Sequence, residues 1–380
     1  MDSLVILQNA LDKAEEMESF HVRNLLDNHT IVIWGGGNRF RNGYKKYFLP
    51  NNIKVSYIVD INQELWGGKI WDITCISPEQ LLNMDDVVVI PMVYNGIDMI
   101  KQFCEENSIL WIHRSQFLLD LNDDEAIHRD KEWFIAEKQN IFKVYNLLND
   151  EESKEIYAKT IYNRVAHGFN IPHYEDIYEK YGSGEYFEPY NCYKLSDNEN
   201  FIDVGAYNGD TIQTFMHITN NKYNNIYALE MDRDNYNELS LFTSKIKDVS
   251  AVHLYNCGAW NEELEVNVNG EGMVCRVGER VDSDMIDSEI NHVTLKTIDS
   301  LGLKNITLIK MDIEGAEVKA LEGARKTIED CKPKLAICVY HRFSDFWKVP
   351  LLIKEINPEY KIAVRHHSDD NGGTVCYAWM

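Results

Sequence analysis

The sequence predicts an α/β protein that contains two open, mostly parallel sheets. Short apolar runs of strand length alternate with longer helical patterns along most of the chain. Two of these runs lead directly into a glycine turn, at residues 35–37 and at residues 205–209. Because a strand, a glycine turn and a helix in this order build a Rossmann-like unit, we expect two such domains. A chain of 380 residues is long enough to give each domain its own core.

The composition restricts the classes of partner and the compartment. The formal net charge is −23, and no clustered basic segment offsets it, which argues against nucleic acid and anionic lipid as partners. The longest apolar run, residues 87–93, is broken by Pro91, and the N-terminus lacks the basic start and apolar core of a signal peptide. The 8 cysteines form no C-x-x-C pair, as expected for reduced thiols. We therefore expect a cytoplasmic protein without membrane insertion.

Residues 1–119 are predicted to form the first domain. An amphipathic helix is expected over residues 4–26, and strands over residues 31–34, 55–59, 87–91 and 109–112. The first strand leads into Gly35, Gly36 and Gly37, and the second ends at Asp60. This pattern resembles the small nucleotide-sugar-binding domains that precede bacterial sugar acetyltransferases. Gly35, Gly37 and Asp60 therefore form a candidate second nucleotide site, and the alternative is a degenerate domain used for packing or dimerisation.

Residues 120–196 are predicted to form a helical, tyrosine-rich connector. Charged helix formers dominate up to Lys159, with apolar residues such as Trp133, Ile141 and Val144 at helical spacing. The tyrosines that follow are Tyr174, Tyr178, Tyr181, Tyr186, Tyr190 and Tyr193. Tyrosine side chains suit protein interfaces and sugar faces alike. We expect a connector whose tyrosines favour a homo-oligomer, and an acceptor platform is the alternative.

Residues 197–380 are predicted to form the second domain. A buried strand, residues 201–204, leads into the glycine turn and then into a helix that begins near Thr211. The next strand ends at Glu230, where an acid is placed to bind the two hydroxyls of a ribose. The glycines do not follow the G-x-G-x-x-G spacing of a pyrophosphate site, and Asp203 suits the ammonium group of an amino-acid-bearing cofactor. Together these features favour S-adenosylmethionine over NAD.

The remaining strands of this domain bring further polar residues to the same sheet edge. Residues 252–256 are predicted as the third strand, followed by small residues that suit an adenine. An inserted β-ribbon is expected at residues 264–268, 273–277 and 293–298, two strands at 306–311 and 334–340, and a closing hairpin at 361–365 and 374–379. Strands 306–311 and 334–340 are followed by Asp312 and His341. Since ligands of open α/β sheets lie at the carboxyl ends of the strands, one cleft should collect these residues. The candidate cofactor-binding residues are Asp203, Gly205, Ala206, Gly209, Thr211, Glu230, Asn256, Gly258 and Ala259.

The second domain resembles the FkbM family of S-adenosylmethionine-dependent methyltransferases. The resemblance is carried by residues 203–206 with Gly209 and Thr211, by residues 256–260 and 297–301, and above all by residues 309–317, which hold the string Lys-x-Asp-x-Glu-Gly-x-Glu. It implies a class I methyltransferase fold over residues 197–380 and O-methylation of a sugar or another hydroxylated metabolite. The family often has Glu-Pro where this chain has Glu230-Met231, but the acid is kept.

His341 and Asp312 are the candidate catalytic residues. Methyl transfer to an alcohol requires alignment of the reacting atoms and removal of one proton. The unperturbed pKa of histidine suits His341 as the base, and the alternative is a satisfied core or supporting residue. Asp312 could hold the cofactor amine, orient the acceptor or bind a metal. Glu314 is expected on a different side of the turn from Asp312, so no metal site is predicted; Asp299 and Glu317 are equally suited to capping or structural roles.

The function predicted from the sequence is O-methylation of a sugar hydroxyl in polysaccharide or glycolipid biosynthesis. The partner would be a sugar or glycan acceptor, nucleotide-linked or polymeric, recognised by the first domain. One alternative is a nicotinamide-dependent sugar-nucleotide oxidoreductase or epimerase that works from residues 35–37, although no Tyr-x-x-x-Lys pair follows them. The other alternative is a non-catalytic nucleotide-sugar-binding scaffold, against which the intact set Asp203, Gly205, Glu230 and Asp312 argues.

Overall fold

The structure is a computed structural model that describes residues 2–16, 26–93, 95–114, 117–118, 121, 131–166, 185–187, 189, 191–246, 249–268, 291–368 and 372–380. The chain divides into two compact units, Met1–Gln139 with Ala158–His173 and Asn140–Tyr157 with Tyr174–Met380. This division runs through two helices of the predicted connector. The predicted domain boundaries after residues 119 and 196 stay a prediction.

The helices follow the amphipathic segments of the sequence. We number them α1 (Ser3–Glu16), α2 (Asn38–Gly43), α3 (Pro78–Leu81), α4 (Ile97–Glu106), α5 (Lys131–Leu147), α6 (Glu151–Ala166), α7 (Asp210–Ile218), α8 (Arg233–Thr243), α9 (Glu317–Glu322), α10 (Arg325–Cys331) and α11 (Asp345–Ile356). The helix predicted over residues 4–26 is present up to Glu16, and residues 17–25 lie outside the described part. None of the described helices is long and apolar enough to cross a membrane.

The first unit contains a six-stranded sheet. Its strands are β1 (Thr30–Trp34), β2 (Tyr57–Val59), β3 (Lys69–Ile70), β4 (Ile73–Ile76), β5 (Val87–Pro91) and β6 (Leu110–Trp111). The order is β3-β4-β2-β1-β5-β6, and every pair is parallel except β3 with β4. The four predicted strands are present, and the β3–β4 hairpin edge is an addition to them. β5 is buried along its whole length, as a strand flanked by two others should be.

The second unit contains a seven-stranded sheet. Its strands are β7 (Asn200–Val204), β8 (Asn225–Leu229), β9 (Val252–Tyr255), β13 (Leu308–Met311), β14 (Lys334–Cys338), β15 (Lys361–His366) and β16 (Thr374–Trp379). The order is β15-β16-β14-β13-β7-β8-β9. The five strands from β14 to β9 are parallel, whereas β16 is antiparallel to β14 and to β15. This is the α/β arrangement that the sequence predicted, including the closing hairpin.

A smaller sheet follows β9 in the chain. It contains β10 (Gly258–Ala259), β11 (Leu264–Val268) and β12 (Asn291–Lys296) in the order β10-β12-β11. β11 and β12 are antiparallel, as predicted for the inserted ribbon. The ribbon segment predicted at residues 273–277 lies outside the described residues.

Aromatic packing fixes the centre of the seven-stranded sheet. Phe201 of β7 and Phe215 of α7 lie with ring centroids 4.7 Å apart, and Phe187 lies 5.6 Å from Phe201. All three are fully buried. Rings of this size bury enough apolar area to dominate local stability, so the start of α7 is held against β7. The turn between these two elements is thereby fixed in position.

Candidate active site

The glycine turn after β7 has a conformation that only glycine adopts without strain at two positions. Gly205 has φ +78°, and a Cβ built there would lie 2.1 Å from the backbone oxygen of Asp312. Gly209 has φ +96° and caps α7, and its Cβ would lie 2.5 Å from the Phe242 ring. Both glycines are therefore required for close approach of the chain to itself. The turn lies directly against the end of β13.

A buried ion pair between Asp203 and Lys310 contacts this turn. Lys310 of β13 lies with its Nζ 3.0 Å from Asp203 Oδ1 and donates a hydrogen bond of 2.8 Å to the Gly205 carbonyl. Both side chains are buried, because β7 and β13 pair with Asp203 opposite Lys310. Burial raises the pKa of Asp203 to about 6, although Lys310 opposes this shift. The nearest partner of Asp203 is thus an ammonium group of the chain itself, and contact with a cofactor amine stays a prediction.

Glu230 lies at the tip of β8 and holds the glycine turn through its carboxylate. The backbone N–H of Tyr207 donates to Oε2 (2.9 Å) and the backbone N–H of Asp232 donates to Oε1 (2.8 Å). Asn256 donates from its side-chain nitrogen to the Glu230 carbonyl (2.9 Å). Burial raises the pKa of Glu230, and the two N–H donors oppose the rise. Each carboxylate oxygen accepts one of these backbone bonds, and the Asn235 side chain also bonds the carboxylate, which leaves capacity for one further donor such as a hydroxyl.

Asp312 follows β13 and is the centre of a polar cluster. The hydroxyl of Tyr186 donates to Oδ2 and the hydroxyl of Tyr340 donates to Oδ1, each at 3.1 Å. Nε2 of His341 lies 3.4 Å from Oδ1. Burial favours a neutral acid, but the charges of His341 and Lys310 hold the pKa of Asp312 below its usual value. Asp312 is therefore a carboxylate at neutral pH.

His341 lies among three carboxylates. Its Nδ1 is 2.9 Å from Glu317 Oε1, and its Nε2 is 3.8 Å from Glu314 Oε2. Burial works against a charged ring, but Glu317, Glu314 and Asp312 outweigh it and raise the pKa of His341 to about 10. The predicted base role assumed an unperturbed pKa, and this assumption is wrong here. In this structure the ring of His341 is therefore protonated at neutral pH, and its positive charge compensates the negative charge of Asp312.

The turn after β13 corrects a second expectation. Glu314 and Gly315 both have positive φ, +57° and +96°. The backbone N–H of Ile313 donates to Glu317 Oε1 (2.9 Å), which ties the turn to the first residue of α9. In this turn Glu314 faces the same imidazole nitrogen as Asp312. The expectation that Glu314 lies on a different side of the turn from Asp312 is therefore wrong.

The other predicted residues lie at the same sheet edge or in supporting positions. Thr211 is in the first turn of α7, where its N–H contacts the Asp210 side chain. The N–H of Ala206 donates to the Leu229 carbonyl (3.1 Å). Gly258 and Ala259 form β10, and a Cβ at Gly258 would lie 2.6 Å from Leu295. Asp299 accepts from the N–H of Thr327 (2.7 Å) in α10, which is the structural role considered for it.

The first unit has a glycine turn of its own, after β1. The N–H of Gly36 donates to Asp60 Oδ2 (2.8 Å), and the N–H of Asn62 donates to Asp60 Oδ1 (2.9 Å). Gly35 has φ +108°, whereas a Cβ at Gly37 would meet nothing within 4 Å. The three predicted residues Gly35, Gly37 and Asp60 are thus close together in the chain's fold. Nucleotide binding by them stays a prediction.

Sequence reasoning did not assign functional roles to Lys310 and Tyr340, and it considered Tyr186 only as one of the tyrosines of an alternative acceptor platform. Lys310 is the one charged residue within a buried four-residue strand. Because a buried charge needs an opposite charge, this position could have predicted a buried carboxylate beside it. Tyr186 reaches Asp312 across 126 positions of the chain, so no local pattern could reveal the contact. Tyr340 was included in a predicted strand as an ordinary residue.

Comparisons with known proteins show what the chain is similar to. Residues 203–361 match the family profile described as the methyltransferase FkbM domain. The chain is similar in fold to the crystal structure of methyltransferase FkbM from Methylobacillus flagellatus, with a TM-score of 0.73, 22% identity and 100% of both chains covered. An rRNA methylase from Streptococcus thermophilus is similar over 48% of this chain and 87% of its own, with a TM-score of 0.30 and 13% identity. No curated protein matches the sequence.

Proposed function

We propose that this chain, whose residues 203–361 form a methyltransferase domain of the FkbM type, transfers a methyl group from S-adenosylmethionine to a hydroxyl of a sugar or glycan. The observation that carries the proposal is the position of Asp312. It follows the strand beside β7, so close to the turn that a Cβ on Gly205 would lie 2.1 Å from its backbone oxygen. A proton acceptor thus stands directly beside the turn proposed to hold the cofactor.

The residues of this edge fit the proposed cofactor. Glu230 binds two backbone N–H groups and the Asn235 side chain, and it keeps acceptor capacity for a ribose hydroxyl. Glu230 and Asp312 follow the strands on either side of β7, and these two carboxylates suit a ligand that carries positive charge. When bound, the cofactor supplies a methyl group that is already activated for transfer.

The chain's own residues then have to align the acceptor and remove one proton. Asp312 is a carboxylate with 28% of its side chain exposed, so an acceptor hydroxyl can reach it. The hydroxyls of Tyr186 and Tyr340 and the imidazolium of His341 fix its orientation. In the transfer a bond forms between the acceptor oxygen and the methyl carbon, the bond from carbon to sulfur breaks, and the hydroxyl proton passes to Asp312. The products are the methyl ether and S-adenosylhomocysteine, and the proton leaves to solvent.

A sugar is the acceptor class that the surroundings of Asp312 favour. Tyr186 and Tyr340 place two aromatic side chains with polar tips against the carboxylate. Aromatic rings pack on the apolar faces of sugars while the hydroxyl tips serve as hydrogen-bond partners. The formal net charge of −23 disfavours a nucleic-acid acceptor. Polysaccharide or glycolipid synthesis is the class of process in which such an acceptor arises.

The test is transfer of a tritiated methyl group from S-adenosylmethionine to a panel of monosaccharides, nucleotide sugars and oligosaccharides, with an RNA oligonucleotide as comparator. We expect an alkali-stable methyl ether on a sugar. His341→Ala should lower kcat at least tenfold and leave the Kd for S-adenosylhomocysteine within about twofold, while the exposed His217→Ala control changes neither. Transfer to RNA alone, or a large loss of cofactor affinity in His341→Ala, would contradict the assignment.

The two alternatives predict different ligands in the same preparation. An oxidoreductase working from residues 35–37 would bind NADH and not S-adenosylmethionine. A scaffold would bind a sugar nucleotide and transfer no methyl group. The methyltransferase domain at residues 203–361 supports transfer over both.

A further inference from the structure

Three carboxylates around His341 are arranged on two sides of its ring. On the open side, Nε2 lies 3.4 Å from Asp312 Oδ1 and 3.8 Å from Glu314 Oε2. On the closed side, Nδ1 lies 2.9 Å from Glu317 Oε1. Ligand atoms of Asp312, Glu317 and His341 all lie within 4.8 Å of one another. The candidate ligands on the open side are thus Asp312, Glu314 and Nε2 of His341, and Glu317 lies behind the ring.

The distances on the open side agree with ligands of a divalent ion. Two ligand atoms at right angles around an ion with bonds of about 2.1 Å are about 3 Å apart. The observed 3.4 Å and 3.8 Å require inward movements of only a few tenths of an ångström per side chain. The side chains of Asp312 and Glu314 are 28% and 27% exposed. Positions of such an ion that face solvent would remain available for water or substrate oxygen.

Glu317 lies where a carboxylate that orients a metal-binding histidine would lie. Histidines that bind metals through one ring nitrogen usually donate the other N–H to a carboxylate. Glu317 is fully buried, and its Oε1 accepts from both the imidazole and the N–H of Ile313. Its Oε2 is also buried and has no hydrogen-bond partner among the described residues. A buried carboxylate with an unsatisfied oxygen is costly unless positive charge lies nearby. Without a cation the imidazolium supplies that charge, and a cation bound at Nε2 would replace the proton of that nitrogen.

We propose that Asp312, Glu314 and His341 bind a divalent cation of the magnesium and manganese class, that Glu317 orients the imidazole, and that the cation accepts an oxygen of the acceptor. The last part rests on the proposed methyl transfer, whereas the cation site itself does not. Two carboxylates and one imidazole suit Mn²⁺ better than Ca²⁺ or Cu²⁺. A hydroxyl held in this way is both positioned and acidified beside Asp312.

The test is titration of Mn²⁺ into chelator-treated protein without cofactor, followed by electron paramagnetic resonance and calorimetry. We expect one saturable site in the unaltered chain. Glu314→Gln and Asp312→Asn should each weaken binding by tenfold or more, and Glu317→Gln by 10- to 100-fold. Glu329→Gln, an exposed acid of α10, is the matched control and should leave the Kd unchanged. Titration of S-adenosylhomocysteine into each variant shows that it is folded.

A second measurement separates this site from the proposed function. With Mn²⁺ present, the KM for the acceptor should fall severalfold in the unaltered chain and not in Glu314→Gln. Absence of saturable Mn²⁺ binding, or the same Kd in Glu314→Gln and Glu329→Gln, would overturn the cation site. Methyl transfer in chelator would then still uphold the proposed function. Saturable Mn²⁺ binding with no transfer to any hydroxyl would uphold the site and overturn the function.

Discussion

The glycine turns after β1 and β7 use the same backbone connections. Gly35 donates to the Val59 carbonyl (2.7 Å) and Gly205 to the Leu229 carbonyl (3.0 Å), each on the neighbouring strand. The acid at the tip of that strand, Asp60 or Glu230, then accepts two backbone N–H groups, one of them from the turn. An acid in this place is therefore part of how such a turn is built. By itself it does not show that a nucleoside binds.

The two turns differ in the residue that follows the strand on their other side, which is β5 for the first turn and β13 for the second. After β5, Met92 donates its N–H to the Trp34 carbonyl, and after β13, Asp312 makes the equivalent bond to Val204. One position therefore carries a buried thioether in the first unit and a carboxylate in the second. The second unit also has Lys310, two tyrosine hydroxyls and His341 around that carboxylate. The chemistry of a turn is thus decided by its neighbouring strand, and this favours the second turn as the reactive one.

The largest effect is expected at these two equivalent positions. Asp312→Asn removes the proton acceptor, so kcat for methyl transfer should fall by about 10²- to 10⁴-fold. Met92→Leu keeps the volume of an apolar side chain and should leave kcat within about twofold. Steady-state transfer of tritiated methyl groups measures both. Equal kcat values for the two variants would contradict the claim that only the second turn lies beside a catalytic group.

The glycines give the next test. Gly205→Ala and Gly35→Ala each place a side chain at positive φ and against the neighbouring strand, so each should cost about 2–4 kcal/mol of stability. Only Gly205→Ala should also abolish binding of S-adenosylhomocysteine. Gly37→Ala has open space and φ −77°, and it should change stability by less than about 0.5 kcal/mol. Thermal unfolding and calorimetry measure these changes, and cofactor binding that survives in Gly205→Ala would contradict the proposed site.

The Asp203–Lys310 pair predicts a smaller, pH-dependent effect. A carboxyl whose pKa is about 6 in the folded chain and 3.8 in the unfolded chain binds more protons when folded between these values. Its contribution to the free energy of unfolding therefore falls as pH rises from about 4 to about 6, by roughly 2–3 kcal/mol, and is constant above. Nuclear magnetic resonance of γ-¹³C-labelled aspartate, assigned with Asp203→Asn, should show a midpoint near pH 6. A midpoint at or below pH 4 would show that the charge of Lys310 outweighs burial, and would contradict the raised pKa of Asp203.

Local patterns predicted most of the fold and the sheet edge at which the candidate cofactor residues lie. β7 and the turn after it are encoded by contiguous residues, and β8 ends at the acid that the spacing indicated, Glu230. The seven strands of the second sheet, including the closing hairpin, lie where the apolar runs predicted strands. The match of residues 203–361 to the FkbM profile confirms the resemblance read from these segments.

The electrostatics of the site depend on contacts that local patterns do not contain. Lys310 faces Asp203 because β13 pairs with β7 across more than a hundred residues. The pKa of His341 is set by Glu317, 24 positions earlier, so an unperturbed value was the wrong starting point. Glu314 reaches the same ring through a positive φ, which glutamate adopts rarely and which only its neighbour Gly315 hinted at.

The central claim is that the second glycine turn binds the methyl donor and the first does not. Calorimetric titration of S-adenosylhomocysteine into the unaltered chain, Glu230→Ala and Asp60→Ala tests it directly. We predict micromolar binding that Glu230→Ala weakens at least tenfold and Asp60→Ala leaves unchanged, since the lost bonds to a charged group are worth about 1.5–3 kcal/mol. Undiminished binding in Glu230→Ala would contradict the claim. So would binding of NADH or a sugar nucleotide alone, lost in Asp60→Ala.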